Sequence, residues 1–108
     1  MSETLEAIAR EIGENPVVIY MKGTPAFPMC GFSAATIEVL NQIGVPYKAI
    51  DILADGDKRE AVKEFTKWPT IPQVFVGGKF VGGCDIVREL HARGELEPLI
   101  RTAASVHA

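Results

Sequence analysis

A chain of 108 residues is long enough to bury a core without disulfide staples and short enough to make one domain, 1–108. Its 11 basic and 14 acidic side chains leave a net charge of -3, which gives no electrostatic footprint for nucleic acid or an anionic membrane. No apolar run approaches a membrane span, and the acidic, amphipathic "MSETLEAIAR" is unlike a secretory signal or an Arg-rich transit peptide.

Leu5, Ile8, Ala9 and Ile12 recur at helical spacing and predict a first helix, with Glu3 and Glu6 at its positive end. Gly13 and Pro16 are expected to stop it. "VVIYM", Val17 to Met21, is apolar throughout and reads as a strand buried on both faces. "KGTPAFP" is expected to be a loop because Pro25 and Pro28 break regular structure. Ile37, Leu40 and Ile43 mark a helix from Gly31 that Gly44 terminates. "YKAI", from Tyr47 to Ile50, is a second strand. Asp57 and Glu60 resemble a capping box for a third helix through Ala61, Val62 and Phe65, ended by Pro69. "QVFVGGKFV" holds two apolar runs around Gly77-Gly78, the pattern of a β-hairpin. Asp85 is expected to cap a helix carrying Ile86, Val87 and Leu90. Gly94 punctuates it, Leu96, Leu99, Ile100 and Ala103 form a last amphipathic stretch, and "SVHA" reads as a frayed tail. The order α-β-α-β-α-β-β-α-α implies an α/β fold, a mixed sheet with helices on both faces.

Two cysteines 54 positions apart do not form a secreted disulfide framework. The cytosol is therefore the default, with a trimmed organellar transit peptide as the alternative. Cys30 sits in "CGFS", where Ser33 stands at the second position of a C-x-x-C pair. It falls at the N-terminal edge of a helix, where free N–H groups and the dipole favour a thiolate. Lys22 at the strand's end adds positive charge, Gly31 permits close backbone approach, and Phe32 supplies an apolar lip. A small buried hydrophobe is the commoner fate of an isolated cysteine, but a loop-to-helix junction suits that poorly. In "WPTIPQVFVGGKFVGGCD", Pro72 is a turn or cis device that presents the backbone of Ile71 to an extended peptide. The turn through Gly82, Gly83 and Cys84 can hold a carboxylate on backbone N–H groups. Asp85 can pair with an ammonium, and Arg59 can clamp a second carboxylate. Arg59 reads equally as a solvated helix residue, Asp85 as only a cap, and the glycines as only turn residues. His91 and His107 fall in helical or tail contexts where solvent exposure is the default.

Together, "KGTPAFPMCGFS", "WPTIPQVFVGG" and "GGCDI" resemble the CGFS-type monothiol glutaredoxins over essentially the whole chain. The resemblance implies a thioredoxin-like (glutaredoxin) fold with a four-stranded mixed sheet flanked by helices. It implies bound glutathione and a [2Fe–2S] cluster shared by a homodimer. Cys30 matches the family's cluster ligand. Lys22, Arg59, Ile71, Cys84 and Asp85 match its glutathione-binding set, and Pro72 matches its cis-proline. BolA-like proteins and apo iron–sulfur acceptors are the implied partners, with no nucleic acid or membrane. The loop Gly23 to Met29 resembles the extension that separates this class from dithiol relatives.

A [2Fe–2S] centre normally takes four thiolates, and one chain offers at most Cys30 and Cys84. Two Cys30 with two glutathione thiolates make four, and so do both cysteines of two chains. The first set is preferred because Cys84 lies among groups suited to glutathione's γ-glutamyl end. A cluster carrier is thus the leading expectation. The alternative is a glutathione-dependent oxidoreductase with Cys30 as sole nucleophile, and a third reading is an interaction module whose thiols are incidental. For a carrier, Ser33 removes a thiol that would compete for Cys30 by forming an internal disulfide.

Overall fold

A computed structural model describes residues 2–107. The elements are α1 (Ser2–Glu14), β1 (Val17–Met21), α2 (Gly31–Ile43), β2 (Lys48–Asp51), α3 (Gly56–Thr66), β3 (Gln73–Val76), β4 (Lys79–Gly82), α4 (Cys84–Ala92) and α5 (Leu96–His107). The strands form one mixed sheet in the order β2-β1-β3-β4. β1 pairs parallel with β2 and antiparallel with β3, and β3 pairs antiparallel with β4. A parallel pair cannot be closed by a tight turn, and α2 supplies the crossover.

The all-apolar β1 is central, and every residue of it is buried. Its side chains alternate between two cores, as the two-residue period of a strand demands. Val17, Ile19 and Met21 join Ile37, Leu40 and Ile43 of α2, Val87 of α4, and Leu96 and Ile100 of α5. Val18 and Tyr20 face the opposite side with Ile8 and Ile12 of α1, Ala61 and Val62 of α3, Ile71 and Phe75. Burying each of the larger side chains contributes about 1.5–3 kcal/mol. Continuous hydrophobicity in β1 thus encodes a strand sandwiched between helix layers.

The hairpin turn is as expected. Gly77 and Gly78 have φ of 61° and 80°, the paired positive values of the tight turn that matches strand twist. Gly44 closes α2 at φ 83°, its N–H donating to the Leu40 carbonyl.

α1 ends at Glu14, between Gly13 and Pro16, the residues expected to stop it. Three local expectations are corrected. The cap of α3 is Asp55, whose side chain accepts from the Lys58 N–H, while Asp57 lies inside the first turn. Asp55 has the extended backbone a cap needs, at φ -145° and ψ 92°. Gly83 rather than Asp85 is the N-cap of α4, leaving Asp85 exposed in the first turn. The expected frayed tail is instead the last turn of α5, helical through His107, with Ala108 outside the described residues. Among the described residues no helix is long and apolar enough to cross a membrane.

Candidate functional site

The loop expected between β1 and α2 folds back on itself. Thr24 and Phe27 exchange backbone hydrogen bonds of 3.2 and 3.0 Å, and the Met29 N–H donates to the Lys22 carbonyl at 2.9 Å. Asp51, at the end of β2, accepts from the backbone N–H groups of Gly23 and Leu53, both at 2.9 Å. This small closed turn delivers the chain to Cys30, the N-cap of α2, in extended backbone geometry.

Cys30 is a half-buried free thiol whose pKa is lowered. The backbone N–H of Ser33 is the main cause; partial burial opposes it, and the Phe32 N–H, the Lys22 ammonium and the Ser33 hydroxyl add to the lowering. The Cys30 side chain closes no capping hydrogen bond of regular geometry. An anionic sulfur is held by the field of nearby N–H groups, which does not require a closed bond. The expectation of a helix-stabilised thiolate beside Lys22 agrees with this arrangement.

Ser33 is more than the place of a missing thiol. It is fully buried, and its hydroxyl accepts from the Lys22 backbone N–H at 3.1 Å. It therefore ties the end of β1 to the first turn of α2, setting Lys22 next to Cys30.

A pH dependence follows. Alkylation of Cys30 by iodoacetamide in the folded chain should reach half its maximal rate below pH 9, the ordinary thiol value, and denaturation should move that midpoint up. A folded midpoint at or above the denatured one would contradict the arrangement. By linkage the thiolate's preference for the fold is fully present above the ordinary value and is lost as pH falls through the lowered one.

One cavity of about 510 Å³ collects all seven sequence candidates, Lys22, Cys30, Arg59, Ile71, Pro72, Cys84 and Asp85. The Ile71–Pro72 bond is cis. The Ile71 side chain points into the core with Tyr20 and Phe75, so it offers no exposed face for stacking. Cys84 is buried in the wall, and Asp85 is exposed at the mouth. The Nε of Arg59 is buried and has no hydrogen-bond partner among the described residues.

Lys63, Trp68, Pro69, Thr70 and Ile86 also line the cavity and were not singled out from the sequence. Lys63 had a readable signal, since it lies one helical turn beyond Arg59. Trp68 and Ile86 stand in the "WPTIPQVFVGG" and "GGCDI" motifs, but their place in the cavity depends on how the 66–72 segment and α4 meet. Of the histidines, His91 pairs with Gln42 at 3.0 Å, away from the cavity; the side chain of His107 lies outside the described residues.

Gln73 holds the cavity's Trp68–Pro72 wall from behind. It is fully buried, donates to the carbonyls of Trp68 and Thr70 at 3.0 and 3.1 Å, and accepts from the Thr66 hydroxyl at 2.9 Å. Gln73→Leu keeps the volume but strips these partners. It should cost about 2 kcal/mol in urea unfolding and weaken any ligand of the Trp68–Pro72 wall. Unchanged stability would show that the segment does not depend on Gln73.

The chain matches the family model described as Glutaredoxin over residues 17–81. It is 48% identical over 105 residues to glutaredoxin 4 of Escherichia coli (strain K12), covering 97% of this chain and 91% of that protein. It is 52% identical to the mitochondrial monothiol glutaredoxin-5 of Lachancea kluyveri, covering 94% of this chain and 73% of that one. Among solved structures it is similar to a buckwheat glutaredoxin–glutathione complex, with a TM-score of 0.85, 31% identity, and coverage of 95% and 92%. Fold, the cysteine–serine site and these likenesses agree: the chain belongs to the glutaredoxin family, as a monothiol member similar to glutaredoxin 4 and monothiol glutaredoxin-5.

Proposed function

We propose that this protein binds glutathione in the Cys30 cavity and carries a [2Fe–2S] cluster between two copies. Each copy supplies Cys30 and one bound glutathione thiolate, four sulfurs in all. The cluster is cargo, used in iron–sulfur assembly, transfer or iron sensing.

The observation that carries the reading is the convergence on one cavity of a half-exposed, stabilised thiol with three cations and one acid. Glutathione has two carboxylates, one ammonium and one thiol. Lys22, Arg59 and Lys63 suit the carboxylates, and Asp85 suits the ammonium. The buried, unpartnered Arg59 Nε is a donor whose desolvation a ligand acceptor would offset. The N-terminus of α4, where Gly83 has no side chain to cap it, offers further N–H groups to a carboxylate. The buckwheat relative is described as a glutathione complex, which supports the same ligand here.

Among the described residues no three His, Cys, Asp or Glu side chains converge as a metal site. The proposed cluster therefore draws sulfur from a second copy and from glutathione. Phe27, Met29 and Phe32 stand 76%, 69% and 63% exposed near Cys30, an apolar rim suited to a second copy or to a BolA-like or apo acceptor protein. Free thiols at both cysteines suit a reducing compartment such as the cytosol.

Anaerobic reconstitution with iron and sulfide, with and without glutathione, tests the proposal. Visible absorption and solution mass should report a coloured dimer only when glutathione is present. A colourless monomer under both conditions would end it.

The lowered pKa and exposure of Cys30 also favour a second reading, deglutathionylation. The Cys30 thiolate would attack the glutathione sulfur of a mixed disulfide, expelling the protein thiolate. A second glutathione thiolate would then attack the Cys30–glutathione disulfide, releasing oxidised glutathione and regenerating the Cys30 thiolate. Rapid turnover by a colourless monomer would select it.

A further inference from the structure

α1, β1 and α3 are joined by a polar network of Glu11, Tyr20 and Lys58. Glu11 of α1 takes a hydrogen bond from the Tyr20 hydroxyl at 2.7 Å through Oε1. Its other oxygen, Oε2, takes Lys58 Nζ of α3 at 2.6 Å. The Glu11 and Lys58 side chains are only 19% and 16% exposed. Tyr20 is fully buried, and burial followed by the Glu11 contact pushes its hydroxyl far above the ordinary range, so it stays a donor. None of the three lines the cavity.

Lys58 is held at both ends. Asp55 caps its backbone N–H at 3.0 Å, and Glu11 holds its ammonium. The next residue is Arg59, whose N–H closes the first turn of α3 on the Asp55 carbonyl at 3.1 Å. One residue is about 100° of helical rotation, so Lys58 faces α1 while Arg59 faces the cavity. A shift of α3 that lengthened the Lys58–Glu11 contact would swing the Arg59 guanidinium at the same time. Breaking a largely buried pair from one side leaves an uncompensated charge, so the network has one favoured geometry.

We infer that Glu11, Tyr20 and Lys58 are positioning residues that set the angle of α3 and thereby aim Arg59 at a glutathione carboxylate. The inference rests on the glutathione reading of Arg59 above. It assigns the network a ligand-affinity role beyond holding the helices together.

Glutathione affinity is measured by calorimetric or NMR titration of the reduced full chain. The variants are Lys58→Met, Lys58→Arg, Glu11→Leu, Arg59→Ala, and Lys58→Met and Glu11→Leu each combined with Arg59→Ala. Lys58→Met and Glu11→Leu should each weaken binding about fivefold, with no further loss in the Arg59→Ala background. Lys58→Arg keeps charge and reach and should restore most of the affinity. Glu11→Leu is the sharpest arm, because removing a negative charge would by long-range attraction tighten an anionic ligand. Weakening there identifies aim rather than net charge.

Wild-type affinity in Lys58→Met beside a weakened Arg59→Ala would overturn the inference and leave the glutathione reading standing. So would losses that simply add to that of Arg59→Ala. Wild-type affinity in Arg59→Ala would remove the reading of Arg59 and the inference with it. Thermal midpoints are recorded for each variant. If Glu11→Leu does not fold, the Lys58→Met and Lys58→Arg pair decides the matter with its Arg59→Ala combination.

Discussion

Cys30→Ser is expected to abolish the coloured, glutathione-dependent dimer while leaving the fold intact. A serine hydroxyl stays protonated at neutral pH and is a poor iron ligand, whereas the Cys30 thiol is poised to ionise by the Ser33 N–H and then by the Phe32 N–H and Lys22. Loss of one thiolate per copy removes half the proposed ligand set, so the effect on visible absorption should be complete. Cys30 is half-exposed at a helix end and makes no capping bond, so the thermal midpoint should move by only a few degrees. Cys84→Ser should behave differently. Cys84 is 6% exposed in the cavity wall, and that variant should keep the colour at reduced glutathione affinity. Colour that forms without glutathione and vanishes in Cys84→Ser would instead establish a ligand set of four protein cysteines.

Gly23→Ala should produce the larger loss of stability. Gly23 has φ of 89°, a backbone region that side chains disfavour. A Cβ there would meet the Phe27 carbonyl oxygen at 2.5 Å and the Met29 nitrogen at 2.7 Å. Both contacts are backbone, so relief means opening the Thr24–Phe27 turn or the Met29 to Lys22 hydrogen bond. Strain and clash together should cost about 3 kcal/mol. That is a large share of the ~5–15 kcal/mol that holds a domain together, and it should lower the thermal midpoint by about 10 °C or more. Because the loop leads from Lys22 to Cys30, glutathione affinity should fall as well. A folded variant with an unchanged midpoint would show that the turn is not the rigid link described.

The two largest effects probe different layers of the site. Cys30 carries chemistry with little structural duty, and Gly23 carries structural duty with no chemistry. The sequence flagged Cys30 by its residue type and junction. It marked the Gly23 to Met29 loop as irregular and, by resemblance, as the extension of the class, but not its closed geometry, because Pro25 and Pro28 announce what a segment cannot be and say little of what it becomes.

Legibility followed the range of the interactions. β1, α2 and the hairpin were readable because hydrophobic period and glycine placement are local properties of the chain. The cap of α3 was misassigned by two residues. Asp55 and Asp57 are chemically alike, and only the extended backbone at Asp55 separates them. The seven candidate residues were named from type and position, yet their meeting in one cavity depends on the 66–72 segment reaching α4.

Ser33 shows the boundary most clearly. By itself the sequence determined that position 33 has no thiol, and so that Cys30 cannot close a disulfide of the C-x-x-C kind. It also determined the α/β order, the central apolar strand and the helix-edge cysteine, because these follow from residue type and spacing along the chain. Only the tertiary structure decided that the Ser33 hydroxyl is buried and accepts the Lys22 N–H, that Arg59 Nε lies buried without a partner, and that Glu11 bridges Tyr20 and Lys58. Lys58 and Glu11 are 47 positions apart. Hydrogen bonds and buried ion pairs require ångström-scale approach in space, and spacing along a chain carries no such information until the helices are packed.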